Sequence, residues 1–140
     1  MISYNYEIDF MVPDEDLYSS WIENVVVSEG KQLGELSYVF CDDEYLLDIN
    51  QQYLDHDTLT DIISFDYTEG DVVSGDIFIS VDRVQDNASD FNVSFEDELK
   101  RVMIHGVLHY CGYKDKSESD EVLMRSKEDE KIKMFHVKNF

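Results

Sequence analysis

At 140 residues the chain has the length of one domain, so we predict a single domain over residues 1–140. Its 43% hydrophobic and 13% aromatic content excludes wholesale disorder, and no apolar run approaches the ~20 residues of a membrane span. Its first residues lack the basic start and apolar run of a secretory signal, so we expect a cytoplasmic protein with its two cysteines reduced.

The net charge of −21 is unevenly distributed along the chain. Residues 1–99 hold two bases, Lys31 and Arg83, against 25 acids, whereas residues 100–140 hold nine bases and seven acids. A polyanion would therefore be repelled by most of the molecule and tolerated only near the C-terminal segment. The lysines at 127, 131 and 133 are equally consistent with a solvated helix face.

The first half of the chain is predicted to alternate strands and helices. Apolar and polar residues alternate from Ile2 to Phe10, which is the period of a half-buried strand. A helix is predicted to begin at Pro13, followed by acidic residues, and to end at Gly30. A second strand over 33–41 then precedes a helix over 42–54 that Asp42 or Asp43 would cap.

The second half is predicted to contain two neighbouring strands and further helices. The strands, 60–67 and 75–81, are rich in β-branched and aromatic residues and are separated by turn-forming residues. A short helix over 82–91 precedes a longer one that Ser94 would cap and Gly112 would end. In the polar tail, Val122, Leu123, Ile132 and Phe135 are candidate contacts. The sum is an α+β fold, a small mixed four-stranded sheet packed with about five helices.

The segment HGVLHYCGYKD, residues 105–115, carries the strongest functional signal. His105 and His109 lie four positions apart on the predicted helix, so their rings stack on one face about 6 Å apart along the axis. Gly112 lets the chain turn back, and Asp115 follows three residues later. Two imidazoles and one carboxylate at this spacing predict a metal site at the end of a central helix.

The chemistry expected of such a site is hydrolysis. A zinc ion with three protein ligands keeps one position open for water and lowers the pKa of that water. Peptidases with this spacing place a general-base glutamate after the first histidine, but here that residue is Gly106. A phosphodiester substrate fits better, because basic residues lie nearby. We interpret Cys111 as a small buried apolar residue rather than a ligand.

With these residues identified, the sequence resembles the YbeY family of metal-dependent endoribonucleases, which act in ribosomal RNA maturation. The family motif is close to HGxLHLxGYDH, which residues 105–113 match at six positions. Two upstream stretches, the residues 60–65 (TDIISF) and 75–77 (GDI), also match family motifs in the same order. The resemblance covers roughly residues 35–135.

The resemblance implies an α+β fold, one zinc ion at the end of the motif helix, and cleavage of single-stranded RNA by a metal-bound water. It also implies work on the small-subunit rRNA and the ribosome, in rRNA maturation and ribosome quality control. By analogy Asp61 and Ser64 lie near the metal, although strand-end hydrogen bonding explains them equally well. The sequence assigns no catalytic residue beyond the metal ligands.

Two positions depart from the family pattern. The third ligand, usually histidine, is Asp115, which still suits zinc but also permits iron(II) or manganese. Leu54 stands where the family commonly has an arginine thought to serve the RNA site, and a leucine cannot bind phosphate. Either another base, namely Lys114, Lys116 or Arg101, compensates, or RNA cleavage is weakened.

Two other functions remain open on the sequence alone. Leu54 would favour a ribosome-assembly factor whose metal is structural and whose catalysis is weak. Two histidines and one carboxylate also occur in iron-dependent oxygenases, although the usual ligand order there differs.

Overall fold

A computed structural model describes residues 1–54 and 60–137, with side chains as far as Phe135. His56 and the side chain of His136, both interpreted from the sequence as ordinary loop or surface histidines, lie outside this description. No helix in the described part of the chain combines the length and apolar character that crossing a bilayer requires. In chain order the elements are β1 (Ile2–Tyr6), α1 (Glu15–Ser28), β2 (Gln32–Cys41), α2 (Asp43–Leu54), β3 (Ile62–Asp66), β4 (Val72–Ser80), α3 (Val81–Phe91), α4 (Phe95–Tyr110) and α5 (Glu118–Val137).

The four strands form one mixed sheet in the order β1-β2-β4-β3, which confirms the predicted α+β class. The pairs β1–β2 and β2–β4 are parallel, and β3 pairs with β4 in the antiparallel sense. Ile77 of β4 lies between Tyr38 of β2 and Ser64 of β3. Because directly paired residues point to the same face of a sheet, Ser64 faces the side on which Ile77 is buried.

The helix boundaries follow the capping residues. The Ser94 hydroxyl accepts a hydrogen bond from the Asp97 amide at 3.1 Å, and Asp42 likewise accepts from the Tyr45 amide at 2.9 Å. The first strand is shorter than predicted and ends at Tyr6, although Phe10 still packs against the core.

The buried helix α4 lies against the sheet with α1 and α5 on the same side. Its Gly106 permits this approach, because a Cβ atom there would lie 2.8 Å from Cδ1 of Ile77. Gly75 of β4 makes room for the Tyr110 ring, whose hydroxyl lies 3.0 Å from the carbonyl oxygens of Phe65 and Asp76. These contacts fix the rotation of α4 and hence the direction in which its polar face points.

Helix α5 docks through a stripe that the sequence analysis misplaced. The predicted contacts Val122 and Leu123 are 67% and 49% exposed, whereas Met124 is buried. Phe135 is buried as predicted, and Ile132 packs against the core at its edge. The stripe that enters the interior repeats at helical spacing and contains two charged residues: Met124, Glu128, Lys131 and Phe135.

Candidate metal centre

The two histidines of α4 stand one helical turn apart on its outward face. Their ring centroids are 4.7 Å apart and the rings are nearly perpendicular, at 86°. Both rings are partly buried, with side chains 21% and 30% exposed. The Nε2 atoms of both rings therefore approach a common point in front of the helix.

A turn after α4 brings a carboxylate to that point. Gly112 adopts a φ of +108°, and its amide donates to the His109 carbonyl at 3.0 Å. The amide of Tyr113 donates to the carbonyl of Leu108, also at 3.0 Å, which completes a glycine-terminated helix end. The reversed chain places Asp115 Oδ2 at 3.3 Å from His105 Nε2 and 3.4 Å from His109 Nε2.

These distances fit a metal ion. All three ligand atoms lie within 4.8 Å of one another. Two ligand atoms of a tetrahedral zinc with bonds near 2.0–2.1 Å are separated by about 3.3 Å, close to the two contacts of Asp115. Two nitrogen donors and one carboxylate oxygen are also a donor set that a divalent transition metal accepts. The structure thus brings together the three residues predicted from the spacing.

The other nitrogen of each ring is held by a separate partner. His109 Nδ1 lies 3.0 Å from the Tyr113 carbonyl oxygen, so it carries the proton and donates it. His105 Nδ1 lies 2.6 Å from Oε2 of Glu128, a buried carboxylate on α5. When Nδ1 donates, Nε2 keeps its lone pair for a metal, and the ring orientation is fixed.

Glu128 is itself held in place by a cation. Arg101 Nη1 donates to Glu128 Oε1 at 2.8 Å, and its Nη2 donates to Asp129 at 2.6 Å. Burial by itself lowers the pKa of His105, but the hydrogen bond and charge of Glu128 outweigh it, and the net shift is upward. Arg101 therefore positions Glu128, and Glu128 makes the His105 imidazole more basic at the nitrogen that faces the metal position.

The metal-facing atoms open into a cleft of about 490 Å³. Asp61 and Ser64, at the start and middle of the β3 region, line it together with both histidines. Asp61 accepts a hydrogen bond from Asn87 at 3.3 Å, and burial raises the pKa of its carboxyl. The edge strand β3 thus brings the two residues to the same cleft as the metal position.

The predicted basic residues occupy different surroundings. Lys114 and Lys116 flank Asp115 in the sequence, are exposed and lie outside the residues that line the cleft. Arg101 lines the cleft, but its guanidinium is engaged by two carboxylates. Leu54 ends α2, is 42% exposed and is not among the described residues that line the cleft.

Cys111 does not belong to the metal group. Its side chain packs at the edge of the hydrophobic core, and burial raises the pKa of its thiol to about 11. A thiol that stays protonated is a poor ligand for a divalent ion, in agreement with its interpretation as an apolar residue.

Two residues that the sequence motifs do not indicate, Glu128 and Arg125, also line the cleft. The spacing of α5 could have indicated that Glu128 is buried. It lies four residues after Met124, on the same face of the helix as Phe135. A charged residue on an apolar stripe indicates a buried charge that requires a partner.

Comparison with known proteins extends the similarity beyond the metal motif. The family model described as Endoribonuclease YbeY matches residues 4–136. A Flavobacterium psychrophilum protein named endoribonuclease YbeY is 69% identical over 99% of both chains. A Flavobacterium johnsoniae protein of the same name is 67% identical over 98% of this chain and 99% of its own. The solution structure of TM1509 from Thermotoga maritima superposes with a TM-score of 0.70 at 26% identity, over 96% of this chain and 89% of that one.

Proposed function

The chain belongs to the YbeY endoribonuclease family, and from this membership we propose that it is a metal-dependent endoribonuclease that cuts single-stranded RNA in rRNA maturation and ribosome quality control. The observation that carries the proposal is the convergence of His105, His109 and Asp115 on one point of an open cleft. We take residues 1–140 as one hydrolase domain, acting in the cytoplasm on the small ribosomal subunit. An assembly factor without catalysis is not favoured, because the relatives are named as endoribonucleases.

Zinc is the metal we propose, one ion per chain, held by the Nε2 atoms of the two histidines and by Asp115. When bound, such an ion lowers the pKa of a water molecule and polarises a phosphoryl oxygen, which is the chemistry that phosphodiester hydrolysis requires. The separations of 3.3 and 3.4 Å support a tetrahedral ion of this size. Manganese and iron(II) accept the same donors and are the alternatives to be tested.

The remaining cleft residues would position the RNA and the ligands. Asp61, directly before β3, and Ser64, within it, line the cleft, and we propose that they contact the substrate near the scissile bond. Lys114 and Lys116 would meet phosphates outside the cleft, on either side of Asp115. Arg101 would act through Glu128, because that carboxylate already occupies its guanidinium.

Cleavage of a labelled single-stranded RNA, with a duplex of the same sequence as control, tests the proposal. We expect the single strand to be cut, the duplex to be spared, and a chelator to stop the reaction until zinc is restored. Parallel restoration with manganese and with iron(II) under anaerobic conditions identifies the metal that supports activity. A purified protein that holds one metal ion per chain and cuts neither RNA would contradict the proposed function.

A further inference from the structure

An aromatic ring stands exposed in the wall of the metal cleft. Phe91, the last residue of α3, is 54% exposed and lines the same cleft as His105, His109 and Asp115. Isolated exposed aromatic residues are common on protein surfaces and need no function. Tyr67, which is 58% exposed and lies outside the cleft lining, is such a case. Phe91 differs from it because it lines the cleft that holds the candidate metal ligands.

The end of α3 anchors the backbone that carries this ring. Asn92 adopts a left-handed conformation with φ of 58° and ψ of 44°, which stops the helix directly after Phe91. The amides of Asn92 and Val93 donate to carbonyls of the last turn at 3.2 and 3.0 Å. The backbone that carries the ring is therefore anchored, so a partner stacking on Phe91 does not have to order the end of α3.

The weakly paired cation Arg125 lies over one face of the ring. The Arg125 guanidinium carbon is 6.0 Å from the Phe91 ring centroid, and the Arg125 side chain is 55% exposed. Its contact with Glu128 is long, at 3.9 Å, whereas Arg101 donates to the same carboxylate at 2.8 Å. Of the two arginines among the described residues that line the cleft, Arg125 is thus the one able to accept a new anionic partner.

Most of the charged residues that line the cleft are acidic, so an RNA phosphate needs the positive charge of Arg125. Several carboxylates line the cleft, including Asp61, Glu98 and Glu121, and they repel phosphate. Burial raises the pKa values of Asp61 and Glu98, which reduces this repulsion, but it does not create attraction. In the cleft of the metal-free protein, attraction must therefore come from Arg125, on α5.

We infer that Phe91 and Arg125 form a nucleotide-binding subsite, in which the Phe91 ring stacks on one base of the RNA and Arg125 contacts an adjacent phosphate. The inference rests on the proposed function and adds the substrate contacts on the α3–α5 side of the cleft. Bases offer their faces only when they are unpaired, so the subsite selects single-stranded RNA. Every base has such a face, and the contact is therefore tolerant of sequence.

Binding of a short fluorescent single-stranded RNA to the chelated, metal-free protein tests the stacking contact separately from catalysis. Phe91→Leu keeps an apolar side chain and should lower the affinity about 5- to 150-fold, as expected for the loss of one stacked base. Phe91→Trp should keep the affinity, and Tyr67→Leu, which removes an equally exposed ring outside the cleft, should leave it unchanged. A series of RNAs, each lacking one base, identifies the stacked base. One of these RNAs should bind the native protein more weakly, and Phe91→Leu should not lower its affinity any further.

Arg125→Gln tests the phosphate contact, with Lys133→Gln as the matched removal of one charge from the same helix. Arg125→Gln should lower the slope of log affinity against log salt by about 0.7, the value of one phosphate contact to a single strand, and Lys133→Gln should not. Equal RNA affinity in Phe91→Leu and Tyr67→Leu, or no measurable binding by the native metal-free protein, would overturn the subsite. Native protein that binds RNA through Phe91 but does not cut it would instead contradict only the proposed cleavage.

Discussion

At the scale of single residues, the two metal-facing imidazoles are oriented by partners of different kinds. His105 donates to a buried carboxylate and His109 to a backbone carbonyl. A carboxylate partner increases the basicity of the ring more than a neutral carbonyl does. The two histidines would therefore be unequal ligands of the proposed ion, and only the partner of His105 can be removed by a side-chain substitution.

Glu128→Gln is predicted to lower zinc affinity about 10- to 100-fold, the usual effect of losing an outer partner of a ligating histidine. The glutamine keeps the shape but loses the charge that His105 and Arg101 share. Competition with a chromophoric chelator measures the affinity. Glu118→Gln, an exposed substitution on the same helix, is the control. Equal zinc affinity in both variants would show that Glu128 does not contribute to zinc binding.

His109→Ala is predicted to remove the bound metal and the RNA cleavage together, because only two of the three ligand atoms remain. Metal analysis of the purified variant and the cleavage assay measure the two losses, and circular dichroism checks that α4 persists. Stoichiometric metal retained by this variant would contradict the ligand assignment.

At the scale of the elements, a buried ion pair ties the ligand loop to two helices. Lys131 of α5 is 3% exposed and lies 2.8 Å from Glu29, at the end of α1. The Tyr113 hydroxyl, in the loop that leads to Asp115, donates to the same carboxylate at 2.7 Å. The expectation of a solvated face is therefore wrong for Lys131, because this lysine joins α5 to α1 and to the ligand loop.

Replacing Glu29 by glutamine is predicted to lower the free energy of unfolding at neutral pH by about 1.5–3 kcal/mol, the contribution of hydrogen bonds to a charged group. Burial by itself raises the pKa of Glu29, but the hydrogen bonds from Lys131 and Tyr113 outweigh it and hold it below its usual value. The unfolded chain therefore binds the proton first, so this stability is present above pH 4.5 and is lost as the pH falls through the lower folded value.

Urea denaturation at pH values above and below 4.5 measures this dependence. The advantage of the native protein over Glu29→Gln should shrink as the pH falls, while Glu23→Gln, an exposed change on the same helix, should follow the native curve. An advantage that stays constant across this range would show that the carboxylate charge contributes nothing to the docking of α1, α5 and the loop.

At the scale of the whole molecule, the candidate metal ligands belong to the least negative segment of this strongly acidic chain. The metal ligands, the loop and α5 all belong to residues 100–140, which carry a net charge of +2, against −23 for residues 1–99. RNA is therefore repelled least by this segment, while the carboxylates that line the cleft still repel phosphate. The ligands and their outer partners come from α4, the loop and α5, so metal binding should stabilise the association of all three.

Zinc is accordingly predicted to stabilise the fold of the native protein, by about 2.7 kcal/mol when free zinc is 100-fold above its dissociation constant. Denaturation with and without zinc measures the shift, and His109→Ala should show little of it. A native protein whose unfolding is unaffected by saturating zinc would indicate an ion that binds the unfolded chain equally well.

Local spacing was sufficient to predict the type and order of the elements and the grouping of His105, His109 and Asp115. His105, His109, Gly112 and Asp115 lie within one helix end and the turn after it, and the short segment that joins them limits their distances. The same holds for the capping residues Asp42 and Ser94, whose hydrogen bonds reach only three residues along the chain. Contacts between residues that lie within about ten positions of each other are set by the local backbone conformation, and the local sequence determines that conformation.

Only the tertiary structure decided which distant residues line the cleft. Glu128 and Arg125 lie 23 and 20 positions after His105, and Phe91 lies 14 before it, on helices whose rotation and packing no local pattern specifies. Met124, rather than the equally apolar Val122 and Leu123, faces the interior because Phe135 and the Glu29–Lys131 ion pair set the rotation of α5. Hydrophobicity shows that a helix will be buried on one face, but the partner across the interface determines which face, and with it which carboxylate reaches the histidine.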